Sequence, residues 1–184
     1  MPKPPPSFCN NISMIMPTPE LDAELLYAQL LSQVQAGLAQ AENLAIVGIR
    51  SGGAWLAERL AAALQLNERL GFIDVSFYRD DYAEKGLPAE VKPTQIPFDV
   101  EGATILLVDD VLYTGRTTRA AINELFDYGR PAKIMLAALV DRGGRELPIA
   151  ADYVAATISL ADREQQLVLR RADDGRFSFT VTHA

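Results

Sequence analysis

Two residue types that carry much of metal and nucleophile chemistry are nearly missing from this chain of 184 residues, which has one cysteine, Cys9, and one histidine, His183. A lone cysteine excludes a disulfide framework or a cysteine metal site and fits a reducing cytoplasm. A lone histidine excludes a His-based triad or a His cluster around a metal. No apolar run reaches the roughly 20 residues of a membrane span, so no membrane contact is expected. The two familiar nucleotide patterns, Gly-x-x-x-x-Gly-Lys-Ser/Thr and Gly-x-Gly-x-x-Gly, are absent as well. Basic charge is scarce: 17 Lys and Arg face 24 Asp and Glu, a net charge of -7, and no Lys, Arg or His occurs from Glu20 to Glu42. Such an acidic chain opposes nucleic-acid binding unless one face is locally basic.

What is present is ordinary for a globular enzyme: 49% hydrophobic and 22% charged residues, in a chain long enough for a full core. Met1 to Ser7 carries three consecutive prolines and reads as a tail and not a signal peptide. Residues 1–18 are expected to be a flexible proline-rich tail and 19–184 a single domain. Glu20 to Ala41 predicts a long amphipathic helix, with Leu21, Leu25, Tyr27, Ala28 and Leu31 supplying apolar contacts. Strands then alternate with helices through Val140, which implies an α/β fold with a mainly parallel sheet flanked by helices. Past Asp152, three runs read as strands: Tyr153 to Leu160, Gln166 to Arg170 and Phe177 to Thr182. Asp173-Asp174-Gly175 forms a hairpin turn between the last two.

The most informative stretch is Val108 to Thr117, Val-Asp-Asp-Val-Leu-Tyr-Thr-Gly-Arg-Thr. The apolar run Ala103 to Val108 predicts a parallel strand covered on both faces. Thr117 or Thr118 then caps a helix with Ala121, Ile122, Leu125 and Phe126 on one face. Between them, backbone N–H groups at a helix start offer a place for a phosphate. Asp109 and Asp110 would repel that phosphate, so they serve ribose hydroxyls or a hard cation such as magnesium. A second strand, from Ile46, ends in Arg50-Ser51-Gly52-Gly53, a cation and two glycines suited to another anion. A helix from Trp55 to Leu66 follows, with Leu56, Leu60, Ala63 and Leu64 on one side. Phe72 to Phe77 leads into Tyr78-Arg79-Asp80-Asp81-Tyr82 and a loop broken by Gly86, Pro88, Pro93 and Pro97. Lys133 to Val140 is a further strand, with Asp141 and Arg142 at its carboxyl end.

The Val108 to Thr117 stretch resembles the phosphoribosyl-pyrophosphate loop of the type I phosphoribosyltransferases. Its Val-Leu-Tyr centre, with Asn123 to Pro131 and Leu139 to Tyr153, is similar to that family's pyrimidine operon attenuators that are also uracil phosphoribosyltransferases, over roughly residues 44 to 153. The resemblance implies the type I fold with a small hood, which the last three strands either join or leave to extend the sheet. It implies transfer of ribose 5-phosphate from phosphoribosyl pyrophosphate (PRPP) to uracil, with magnesium accompanying the substrate. Asp109, Asp110 and Arg79 would be catalytic, the two aspartates at the ribose and near magnesium, directly or through water. Val111, Leu112, Tyr113, Thr114, Gly115, Arg116 and Thr117 would bind PRPP. Arg50, Ser51, Gly52 and Gly53 would bind pyrophosphate, with a cis peptide at Arg50 to Ser51. Asp141 and Arg142 would touch or frame the base, and Arg79, unless it is a solvated strand end, would reach the pyrophosphate. Homo-oligomers, dimer or tetramer, are common in the family. The RNA-regulating relatives usually have Thr-Arg-Gly where this chain has Ser51, Gly52 and Gly53, His where it has Gly144, and Arg where it has Ala150. Those departures and the acidic charge argue against RNA regulation.

Overall fold

The protein is described by a computed structural model over residues 21–75, 93–160 and 165–183. Five parallel strands form the central sheet in the order β2-β1-β3-β4-β5: β1 Leu44–Ile49, β2 Leu70–Ile73, β3 Thr104–Leu112, β4 Lys133–Asp141 and β5 Tyr153–Thr157. The helices are α1 Ala23–Leu38, α2 Gly52–Leu64 and α3 Arg116–Asp127, with a 3-10 turn at Asn67–Arg69. Side chains of β3 alternate between two cores. Leu106 and Val108 pack with α1 and α2, while Ile105 and Leu107 pack with α3. Because β1 returns through α2 to β2 on one side and β3 through α3 to β4 on the other, the strand order reverses between β1 and β3. Open α/β sheets bind ligands in the crevice at such a reversal.

Several sequence expectations shift. The first helix starts at Ala23, since the Asp22 carboxyl accepts from the N–H groups of Glu24 (2.9 Å) and Leu25 (3.1 Å). Its buried face is Leu26, Tyr27, Leu30 and Val34, and Leu25 and Ala28 face solvent. Helix α2 starts three residues before Trp55, and Ala63 is exposed while Ala57 and Ala61 are buried. Helix α3 is capped neither by Thr117 nor by Thr118: its N-cap is Gly115, at φ 89°, and Phe126 is 42% exposed. Strand β3 continues through Asp109 and Asp110 to Leu112, because its pairing with β4 runs as far as Asp141.

Of the last three expected strands, the first joins the sheet as β5. The other two, β6 Gln165–Arg171 and β7 Phe177–His183, form a separate antiparallel hairpin. Arg59 of α2 holds this hairpin against α1. Its guanidinium bonds both Glu24 oxygens (2.8 and 2.9 Å) and lies over the Tyr27 and Phe177 rings, 4.0 and 4.5 Å from their centroids. Glu24 Oε1 also accepts from the Phe177 N–H at 2.6 Å. On the other strand, Arg171 pairs with Glu58 (2.7 Å) and lies over Trp55. None of the described helices is long and apolar enough to cross a membrane.

Candidate functional site

Strands β1, β3 and β4 are parallel neighbours, so Arg50 to Gly53, Asp109 to Thr117, and Asp141 with Arg142 leave the sheet at one edge. The sequence places all three at the carboxyl edge of one parallel sheet, and the strand order puts them on adjacent strands there. Arg79, the Tyr78 to Tyr82 segment and the proline-rich tail lie outside the described residues.

The loop after β1 is compact. The Arg50 to Ser51 peptide is cis. The Arg50 N–H donates to the Ile73 carbonyl (2.9 Å), and its guanidinium reaches Gln95 Oε1 (3.4 Å) and lies 5.0 Å from the Phe72 ring centre. A Cβ on Gly52 would run into the Asp110 carboxyl, and one on Gly53 into the Val108 carbonyl oxygen and the Asp109 Cα. Glycine is what lets the start of α2 sit on the end of β3 at that separation.

Asp109 is buried, in register with Ala138, and continues the row of Ile105 and Leu107; its Oδ1 accepts from the Asp110 N–H at 3.0 Å. Asp110 lies against Gly52 instead. Adjacent in sequence, the two carboxylates therefore leave the strand in different directions. Among the described residues, no three His, Cys, Asp or Glu side chains cluster as a metal cage. Two oxygen-donor side chains suit a magnesium ion that keeps several waters and is carried by substrate phosphates.

The loop after β3 turns at Gly115, whose positive φ is open to glycine at little cost. The Thr114 hydroxyl accepts from the Arg116 N–H at 3.2 Å, and the N-cap of α3, Gly115, has no side chain of its own to cap the helix. The dipole-positive start of a helix suits an anion. Val111 packs on the α1 and α2 core, and Leu112 is buried on the α3 side, so these two build the loop's base. Tyr113 lies under the Arg142 guanidinium, 3.9 Å from the ring centre. Thr117 sits in the first turn of α3.

The Asp141 carboxyl is buried and engaged within its own loop, accepting from the Gly143 N–H (2.9 Å) and pairing with Arg145. Two residues that sequence reasoning did not single out also touch the site loops. Gln95 holds Arg50, and Glu146 bonds Arg116 through Nε (2.9 Å) and Nη2 (2.6 Å). Nothing local in the sequence marks Gln95. Glu146 follows the Asp141 to Arg145 stretch and was legible only as part of that loop.

Residues 20–167 match the family model described as the phosphoribosyl transferase domain. A "Bifunctional protein PyrR" from Ralstonia nicotianae is 55% identical over 170 residues, covering 90% of this chain and 97% of that protein. A protein of the same description from Pseudomonas paraeruginosa is 50% identical, covering 83% and 88%. Among solved structures, a hypoxanthine-guanine phosphoribosyltransferase from Bacillus anthracis aligns with TM-score 0.58 at 18% identity, over 79% of this chain and 83% of that one. A hypoxanthine phosphoribosyltransferase variant from Trypanosoma cruzi aligns with TM-score 0.56 at 24% identity, over 75% and 79%. These two likenesses concern the fold.

Proposed function

The chain belongs to the type I phosphoribosyltransferase family, and on that footing we propose that it transfers ribose 5-phosphate from PRPP to uracil, releasing pyrophosphate and forming UMP in the cytoplasm. The observation that carries this reading is the pairing of two anion loops on adjacent parallel strands, with Asp110 pressed against the first of them. The start of α3 takes the 5-phosphate, and Arg50 to Gly53 take the pyrophosphate. In the transfer, a ring nitrogen of the base forms a bond to the anomeric carbon as the bond to the pyrophosphate oxygen breaks, and the base loses its N–H proton. Positive charge develops on the ribose, so Asp109 and Asp110 stabilise it as fixed carboxylates. Magnesium arriving with PRPP would supply positive charge to neutralise the leaving pyrophosphate. Asp109 and Asp110 would hold that ion, directly or through water. Arg79 serves the pyrophosphate, and Asp141 with Arg142 frames the base.

Purified protein with uracil, PRPP and magnesium should make UMP, and no turnover with any pyrimidine or purine would reject the reading. Asp110→Asn keeps the shape and removes the charge. Its turnover should fall by about 10- to 100-fold with the fold intact by circular dichroism, and near-normal turnover would remove Asp110 from the mechanism.

The relatives' description as bifunctional favours a second reading, a regulator that senses UMP or PRPP and binds RNA. Against it, α1 has no basic residue. A gel shift with pyrimidine leader RNA, with and without UMP, separates the two: tight, salt-sensitive binding would establish the regulator. Self-association as a dimer or tetramer is checked by light scattering.

A further inference from the structure

We propose that Glu146 is a positioning residue for PRPP that acts through the phosphate loop without touching the substrate; this rests on the reading that Tyr113 to Thr117 takes the 5-phosphate. A loop that binds an anion through backbone N–H groups needs a fixed shape, and here the N-cap of α3 is Gly115, which brings no side chain of its own to the first turn. The fastening comes from the segment after β4. The N–H groups of Glu146 and Leu147 both donate to the Thr114 carbonyl, at 3.0 and 3.2 Å. The Glu146 carboxylate takes Arg116 through two nitrogens. Ile149 and Leu147 fill the space beside Gly115, within 3.3 and 3.5 Å of where a Cβ would stand. Glu146 thus spans the turn: its backbone holds the residue before Gly115 and its side chain the residue after it.

Removing the carboxylate leaves in place the two bonds to the Thr114 carbonyl and the bond from the Arg116 N–H to the Thr114 hydroxyl, and takes away only the ion pair on the Arg116 side chain. The effect is graded because the pair is half exposed, with side-chain accessibilities of 58% and 52%, and water and salt screen it.

The test uses the full chain with Glu146→Ala and Glu146→Gln. Both should raise the KM for PRPP by about two- to fivefold, move the KM for uracil by less than about 1.5-fold, and leave the melting temperature within about 2 °C. The difference from wild type should shrink by half or more between about 0.01 M and about 1 M salt, as the screening length falls from about 30 to about 3 Å. An unchanged KM for PRPP in both variants, with an active wild type, overturns the role of Glu146 alone. So does a loss that falls equally on both substrates and ignores salt. A wild-type chain that binds no PRPP by calorimetry overturns the phosphoribosyl reading and this proposal with it.

Discussion

Gly52 and Gly53 bring their Cα atoms against Asp110 and the Val108 carbonyl, so the loop after β1 is fixed by main chain resting on its neighbours; the loop after β3 is tied by backbone bonds to the Thr114 carbonyl and, around it, by side chains, Glu146 on Arg116 and Arg142 over Tyr113. The difference teaches how each loop answers to change. Main-chain contact has a steep repulsive wall, so a single added methyl is felt in full. Ion pairs and ring contacts at a half-exposed surface are soft, and weakening one leaves the rest in place. One loop tolerates almost nothing, and the other is tunable.

The largest expected effect comes from Gly53→Ala. Its new methyl meets a carbonyl oxygen and, at 2.9 Å, a Cα, neither of which can rotate away. We expect a loss of about 1–3 kcal/mol in stability by denaturant unfolding and at least a tenfold fall in kcat/KM, about 1.4 kcal/mol of transition-state stabilisation. A variant with wild-type stability would break the contrast between the loops.

A smaller effect is expected at Glu24, a reference ion pair remote from both loops. Its hydrogen bond with Arg59 holds its carboxyl below the ordinary carboxylate range, against the opposing pull of partial burial. A depressed folded-state value means stability that is present above the unfolded value and is lost as pH falls through the folded one. Glu24→Gln should therefore cost about 1 kcal/mol at neutral pH, discounted for partial exposure, with the gap from wild type closing below about pH 4. Thermal melts across pH check this, and a gap that persists in acid would show that packing, not charge, holds the hairpin.

The smallest change expected is a gain. Thr118 is 1% exposed, and its hydroxyl has no hydrogen-bond partner among the described residues. Thr118→Val keeps the branched shape and should add about 0.5 kcal/mol by removing an unsatisfied buried group. No gain in a urea titration would show that the hydroxyl is solvated after all.

The parallel sheet was legible because apolar strand runs and amphipathic helices alternate, a local signal. The end of β3 was not, since Asp109 and Asp110 read as loop residues; only pairing with β4 extends the strand through them. The start of α3 was misplaced for a related reason. Thr117 and Thr118 are good caps in isolation, but the turn at Gly115 begins the helix earlier and carries both into its first turn. Phe126 fits an apolar face by spacing and still points outward, because the buried row is Thr118, Ala121 and Leu125. Both loops were visible in their residues. What ties them down was hidden, because Arg50 to Gln95 and Arg116 to Glu146 join positions far apart in the chain.

The outermost strands of the central sheet bear on how chains meet. Gln33 of α1 donates to the Val154 carbonyl of β5 at 3.0 Å. On the opposite side, Phe72 of β2 exchanges two backbone bonds of 2.8 Å with Gln95. Each flank thus has hydrogen-bonding groups already spoken for, which discourages the strand-by-strand accretion that exposed sheet margins invite. The sheet therefore ends within its own chain on both sides, and the crevice between β1 and β3 stays at the middle of its own fold.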